Sequence, residues 1–273
     1  MPIFTTFSQC TAEGILTHQF PIDSLNGVSI QKHLDNAQKS GSYTRKIELR
    51  ELINVLTSET KSAVTPYIFI SPAINPNKDS LKMTQSSKPD SVIKTEGFAV
   101  FKKDKLIGYL NSAEARGVLW ATDDVDKGII VVPYKSNKQS IEIMNSHSKM
   151  KTTFRNGKPE VQLNIAIKAN VGSVVGPIDL SEQSVIRDLE KRTNQTVKNN
   201  IEKVIKKVQD QYGVDIFGFG EALGRQHPKE WKNHKGKWEK EFKKLKVNII
   251  VDTVIGEIGL KNRSFEVDMK GKK

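Results

Sequence analysis

Cysteine is nearly absent. The 273 residues hold one, Cys10, so no internal disulfide can close and no paired-cysteine metal site is available. Long apolar runs are missing too: nothing approaches the roughly 18 residues that a membrane-spanning helix needs. The opening MPIFTTFSQC has neither a basic n-region nor an apolar h-region, so no secretory leader is read there. Lipid attachment requires an apolar segment and small residues just before the cysteine. Phe7-Ser8-Gln9 does not supply them, and Cys10 reads as a small, partly buried side chain rather than a lipidation site. The five histidines (His18, His33, His147, His227 and His234) fall in different elements, and no HExxH spacing occurs. No GxSxG elbow is present either. Glu114 and Arg116 could pair a carboxylate with an anion binder, but on a short helix they read as a cap and a salt bridge. These absences leave no catalytic, cofactor or metal residue to name, and enzymatic activity is not expected.

What the chain does carry is charge. Its formal net charge is +12, and the excess is uneven: KEWKNHKGKWEKEFKKLK, from Lys229 to Lys246, holds eight lysines against three glutamates. Such a face attracts anionic lipid headgroups, nucleic acid or an acidic protein. The candidate interaction residues are Lys235, Lys237, Lys240, Lys243 and Lys244 with Trp231 and Trp238. A nucleic-acid reading would use Trp231, Trp238 and Phe242 as stacking platforms. Their spacings of seven and four also suit one buried face, so nucleic acid is the weaker partner. A small-ligand-binding module is a third reading.

The periodicities describe an α+β protein. KIELRELINVLTSE places Ile47, Leu49, Leu52, Ile53 and Leu56 at helical spacing, and TPYIFISP is a strand between prolines. The Pro-, Ser- and Asn-rich stretch that follows reads as a linker over residues 72–93. EGFAVFKKDKLIGYL then predicts a hairpin, Asn111 with Glu114 has capping-box spacing, and GIIVVPY is a strand. From Glu160 to Val171 apolar and polar residues alternate. This predicts a long strand, paired antiparallel with Ile141–Phe154 through an Asn156-Gly157 turn. A helix over Ser181–Tyr212, capped by Asp179 and Glu182, should pack across that sheet, and Val247–Ile255 repeats the alternation. No alternating βαβ pattern is seen. The expected architecture is an antiparallel or mixed sheet with a long helix and shorter helices packed on it, divided as 1–71, the linker 72–93, a small hairpin–helix region 94–126 and a C-terminal α+β domain 127–273.

DIFGFGEALGRQHP, from Asp215 to Pro228, carries three glycines without completing a phosphate motif. Gly224 is followed by Arg225 and Gln226 rather than Lys and Ser/Thr, and the preceding element is a helix rather than a strand. A helical reading fits: Gly213 stops the long helix, Asp215 caps the next, and Ile216, Phe219, Ala222 and Leu223 form its apolar face. Gly218, Gly220 and Gly224 are then a packing motif. These segments also resemble the C subunit of the bacterial spore germinant receptor, the Ger(x)C lipoprotein family. The resemblance runs in order from Lys94 to Ser264 and is most specific at DIFGFGEALGRQHP, where Gly224 and His227 replace the family's usual His and Tyr. It implies a three-domain, non-enzymatic accessory subunit that helps trigger germination by nutrients. It implies integral-membrane A and B subunits as partners and a lipid anchor on the outer face of the spore inner membrane. It also implies that residues 1–71 are the remainder of the family's N-terminal domain, and that the chain is an incomplete subunit or begins at an internal Met.

Overall fold

Asn156 and Gly157 both take positive φ, 52° and 71°, which lets the chain reverse in two residues between Arg155 and Lys158. That turn joins β8 (Asn137–Arg155) to β9 (Lys158–Ser173), whose register runs antiparallel from Phe154 opposite Pro159 to Ile141 opposite Val171. The computed structural model describes residues 3–8, 11, 15, 26–38, 43–72, 91–176 and 178–258; Cys10 and His18 lie outside them. The other strands are β1 (Phe4–Thr5), β2 (Phe7–Ser8), β3 (Ile47–Glu48), β4 (Val64–Pro72), β5 (Ser91–Lys102), β6 (Lys105–Leu110), β7 (Gly128–Tyr134) and β10 (Lys246–Ile258). The helices are α1 (Asn26–Asn36), α2 (Leu49–Leu56), α3 (Ser112–Ala121), α4 (Gln183–Lys207), α5 (Phe219–Gln226), α6 (Pro228–Trp231) and α7 (Trp238–Phe242).

Two four-stranded sheets organise the chain, in the orders β2-β4-β5-β6 and β10-β9-β8-β7, beside a β1-β3 pair. The second sheet carries the main core. Val161, Leu163, Ile165, Ile167, Ala169 and Val171 of β9 are all buried, while Ala166 and Lys168 on the other face are exposed. Over the apolar face lies α4, which buries Leu189, Val197, Ile201, Val204 and Ile205 at helical spacing. Each such side chain contributes about 1.5–3 kcal/mol when fully removed from water. The helix runs on as a π-turn, Val208–Tyr212, until Gly213 stops it at φ 65°. Helix α3 crosses α4 so closely that a Cβ on Gly117 would sit 2.6 Å from Asn200 O.

The α+β class and the multi-element mixed sheet stand as expected, and several local expectations are corrected. Strand β10 pairs parallel with β9, so α4 belongs to one βαβ-like crossover, hidden in the sequence by the length of the connection. Asp179 and Glu182 do not form a capping box: Asp179 accepts from Ser181, and the N-cap Glu182 makes no side-chain cap bond. Ile47 lies in β3 rather than in the helix, and Leu49 and Ile53 of α2 are exposed. Of the linker expected over 72–93, residues 73–90 lie outside the described residues, and its ends are strand. Pro72 closes β4 and Ser91 opens β5, and these two strands pair antiparallel. The chain on either side of 73–90 therefore shares one sheet. Asn111 and Glu114 do form a reciprocal capping box at α3.

Candidate interaction surface

The glycine-rich segment is organised by one carboxylate. Asp215 is 3% exposed, and its oxygens accept from the backbone N–H of Phe217 at 3.0 Å, Gly218 at 2.9 Å and Gly220 at 2.8 Å, and from Trp238 Nε1 at 3.1 Å. The N-cap of α5 is Gly218, at φ 79°, rather than Asp215. Asp215 instead stands below the helix and collects donors that the turn and first helical residues leave without helix partners. Burial pushes its carboxyl up from the ordinary aspartate range, and hydrogen bonds, those from Gly220, Gly218 and Trp238 among them, pull against it.

The three glycines do different things. Gly218 supplies a left-handed backbone, and a Cβ there would meet only ordinary contacts. A Cβ on Gly220 would lie 2.7 Å from Trp238 Nε1 and 3.1 Å from Thr60 Cβ, and one on Gly224 would lie 2.9 Å from Trp231 Cδ1. Trp231 and Trp238 therefore dock on the bare side of α5, edge to face with centroids 5.2 Å apart. Trp238 is 2% exposed and Phe242 fully buried. This corrects the placement of Trp238 on an interaction face: with the half-buried Trp231 it anchors the lysine-rich segment from beneath, and stacking platforms for nucleobases are not formed by Trp238 or Phe242.

The lysines face outward. Lys229, Lys232, Lys235, Lys237, Lys240, Lys243, Lys244 and Lys246 are all exposed. Lys235 pairs with Glu59, Lys237 with Glu241 at 3.2 Å and Lys246 with Glu160 at 3.8 Å. Among the described residues, Lys229, Lys232, Lys240, Lys243 and Lys244 have no carboxylate within ion-pair distance. Short helices on an aromatic base thus hold a ridge of unspent positive charge. Glu114 pairs with Lys207 at 2.8 Å rather than with Arg116, whose Nη1 donates to Ile129 O. His227 bonds Thr152 O and His234 bonds Glu241, so both serve packing around Phe154.

Beside the glycine-rich turn opens a cleft of about 380 Å³, lined by Arg45, Glu51, Lys61, Asp123, Glu221 and Arg225 above an apolar floor. Periodicity could not have found it, because its charged lining comes from five separate segments.

Residues 96–259 match the family described as spore germination B3/GerAC like, C-terminal. The chain belongs to this family. The match bears out the resemblance read from the sequence, and the family acts in spore germination. Among its relatives, spore germination protein KC of Bacillus subtilis (strain 168) is 25% identical over 273 residues, an alignment covering 98% of this chain and 66% of that protein. Spore germination protein B3 of the same organism is 26% identical over 152 residues, covering 55% of this chain and 41% of that protein. Spore germination protein GerQC of Bacillus cereus is 23% identical, covering 81% and 62% respectively. The chain thus spans two thirds or less of these relatives' lengths. In three dimensions it is similar to the crystal structure of the GerBC protein, with a TM-score of 0.68 at 17% identity, over 92% of this chain and 67% of that one. That likeness concerns the fold. Among the described residues no helix is long and apolar enough to cross a membrane.

Proposed function

We propose that this chain is the C-type accessory subunit of a nutrient germinant receptor, acting without catalysis through contacts with membrane-embedded A and B subunits and with the bilayer surface. Family membership supplies the setting, a spore-associated protein of germination. The observation that carries the surface reading is the lysine ridge: exposed, five of its eight lysines with no carboxylate within ion-pair distance among the described residues, and mounted on the half-buried Trp231 and the buried Trp238. In the full-length family, the resemblance implies, a lipid anchor holds the subunit at the outer face of the spore inner membrane. There each lysine close to anionic headgroups contributes about 1 kcal/mol, fading beyond a Debye length of roughly 8 Å at physiological salt.

Vesicle flotation tests this. The chain should float with anionic vesicles at low salt, detach as salt rises and ignore neutral ones. Replacing Lys235, Lys237, Lys240, Lys243 and Lys244 by Gln should abolish flotation and leave the melting temperature close to the parent's, since exposed lysines carry little packing. Flotation that is indifferent to salt or to lipid charge would refute the surface reading.

A further inference from the structure

The β10-β9-β8-β7 sheet has two edges, and they are treated differently. At β7, Arg116 Nη1 and Arg192 Nη1 donate to the carbonyls of Ile129 and Pro133, each at 3.2 Å. Pro133 has no N–H to offer a further strand. Two arginines from α3 and α4 thus cover part of that edge, a device natural proteins use where pairing would be harmful.

At β10 the closure is local. The Ile255 N–H, turned away from β9, donates to Glu190 Oε1 of α4 at 2.9 Å. Backbone groups alternate with a period of two along a strand, so Thr253, Val251 and Ile249 turn their N–H and C=O the same way. Among the described residues nothing pairs with them. Alongside lies a groove of about 390 Å³ between β10 and α4, lined by Ile249, Ile250, Val251, Lys191, Asn194 and Lys198. Ile250 at its rim is 47% exposed, and Val254 further along the strand is 56% exposed. Asn194 adds a buried Oδ1 with no hydrogen-bond partner among the described residues.

We propose that the β10 edge from Ile249 to Thr253 is a docking site for an extended, acidic segment of a partner protein, which adds a fifth strand to the sheet. Three features choose the occupant. Open N–H and C=O groups ask for a strand rather than a helix. Exposed Ile250 and Val254 ask for alternating apolar side chains on that strand. Lys191 and Lys198 over the groove ask for carboxylates facing α4, at the end away from Glu190. A second copy of this chain fits badly: antiparallel pairing of two β10 edges would bring two sets of Lys191 and Lys198 together between molecules of net charge +12. The site is remote in mechanism from the lysine ridge, so the two readings fail independently.

The probe is a ten-residue acetylated peptide alternating Val with Glu, titrated into the whole chain and followed by amide hydrogen exchange and anisotropy. Binding should slow exchange at Ile249, Val251 and Thr253 and leave β7 unchanged. N-methylation of alternate peptide residues should abolish binding, and a Val/Lys peptide should bind at least about tenfold more weakly. Val251→Pro removes one outward N–H at an edge position that tolerates proline and should weaken binding by about tenfold. If that variant does not fold, the N-methylated peptide asks the same question of the parent. The lysine-to-Gln ridge variant should bind the peptide as the parent does. Equal binding of the N-methylated or basic peptide overturns the proposal. So does unchanged exchange at Val251, and so does a concentration-dependent dimer that protects the same amides, which would assign the edge to a second copy.

Discussion

Gly220 is held between a hydrogen bond and an indole. Its N–H donates to Asp215 while Trp238, bonded to the same carboxylate, lies where a Cβ would go. The carboxylate and the glycine therefore specify one another. Asp215 fixes the indole, and the indole excludes a side chain at residue 220. The atom in the way is the edge of a buried ring rather than the free end of a flexible chain, so little relaxation is available. Gly220→Leu should cost about 1–3 kcal/mol by overpacking, read as a lowered denaturation midpoint. Gly236, where a Cβ meets nothing within 4 Å, is the control and should accept Ala with little change. A Gly220→Leu protein that melts like the parent would refute the packing role.

At the scale of elements, α2 is attached in good part by an ion pair. None of its residues is buried, and Leu49 and Ile53 point to solvent. It is tied to the body by Glu51, which Arg45 grips through two guanidinium nitrogens while also facing Asp124 at 3.4 Å. The hydrogen bonds from Arg45 hold the Glu51 carboxyl below the ordinary glutamate range against the opposing effect of partial burial. For an acid with a depressed folded-state value, the stabilisation is complete above the unfolded value. It is lost as pH falls through the lowered one. Acidification from neutral should therefore leave α2 unaffected until the pH drops below the usual glutamate range, and then loosen it before the β8-β9 core responds. Amide exchange along Leu49–Leu56 measures this. Arg45→Gln should loosen α2 already at neutral pH and remove the acid step; an identical pH profile in that variant would count against the pair.

For the molecule as a whole, the larger of two apolar clusters lies almost entirely after residue 91, and a small one joins Ile15 and Ile68. Buried members of the main apolar cluster run from Phe98 to Ile255, with Val64 joining only as a half-buried neighbour. The segment before residue 91 contributes β2 and β4 to the first sheet and the backbone bonds Phe101 N–H to Ala63 O and Ser62 N–H to Asp215 O. A fragment that begins at residue 91 should therefore fold alone, with the preceding region added to a finished core. That fragment should unfold in a single cooperative transition by calorimetry, with a Tm below that of the full chain and a newly exposed β5 edge that raises its tendency to associate. A broad, non-cooperative melt would mean that the two sheets form one folding unit.

Alternation and helical spacing were enough to locate the β8-β9 hairpin, its Asn156-Gly157 turn, the long helix and the Gly213 stop, because each depends on residues close together in the chain. The glycine-rich stretch was also legible as something other than a phosphate loop, since the residues around its glycines fail the motif. Pairing direction and burial across long separations were not legible. Nothing in Val247–Ile255 distinguishes a strand parallel to β9 from one antiparallel to it. Nothing in Trp231 and Trp238 tells whether their faces meet solvent or the bare side of α5. Those outcomes depend on which surface arrives from more distant segments: Asp215 beneath Trp238, Glu190 at the β10 edge, Arg45 over the cleft. A periodic sequence determines which face of an element is apolar, because that is set by neighbours a few residues away. Only tertiary structure decides what covers the face, because the covering atoms are brought in by the path of the whole chain.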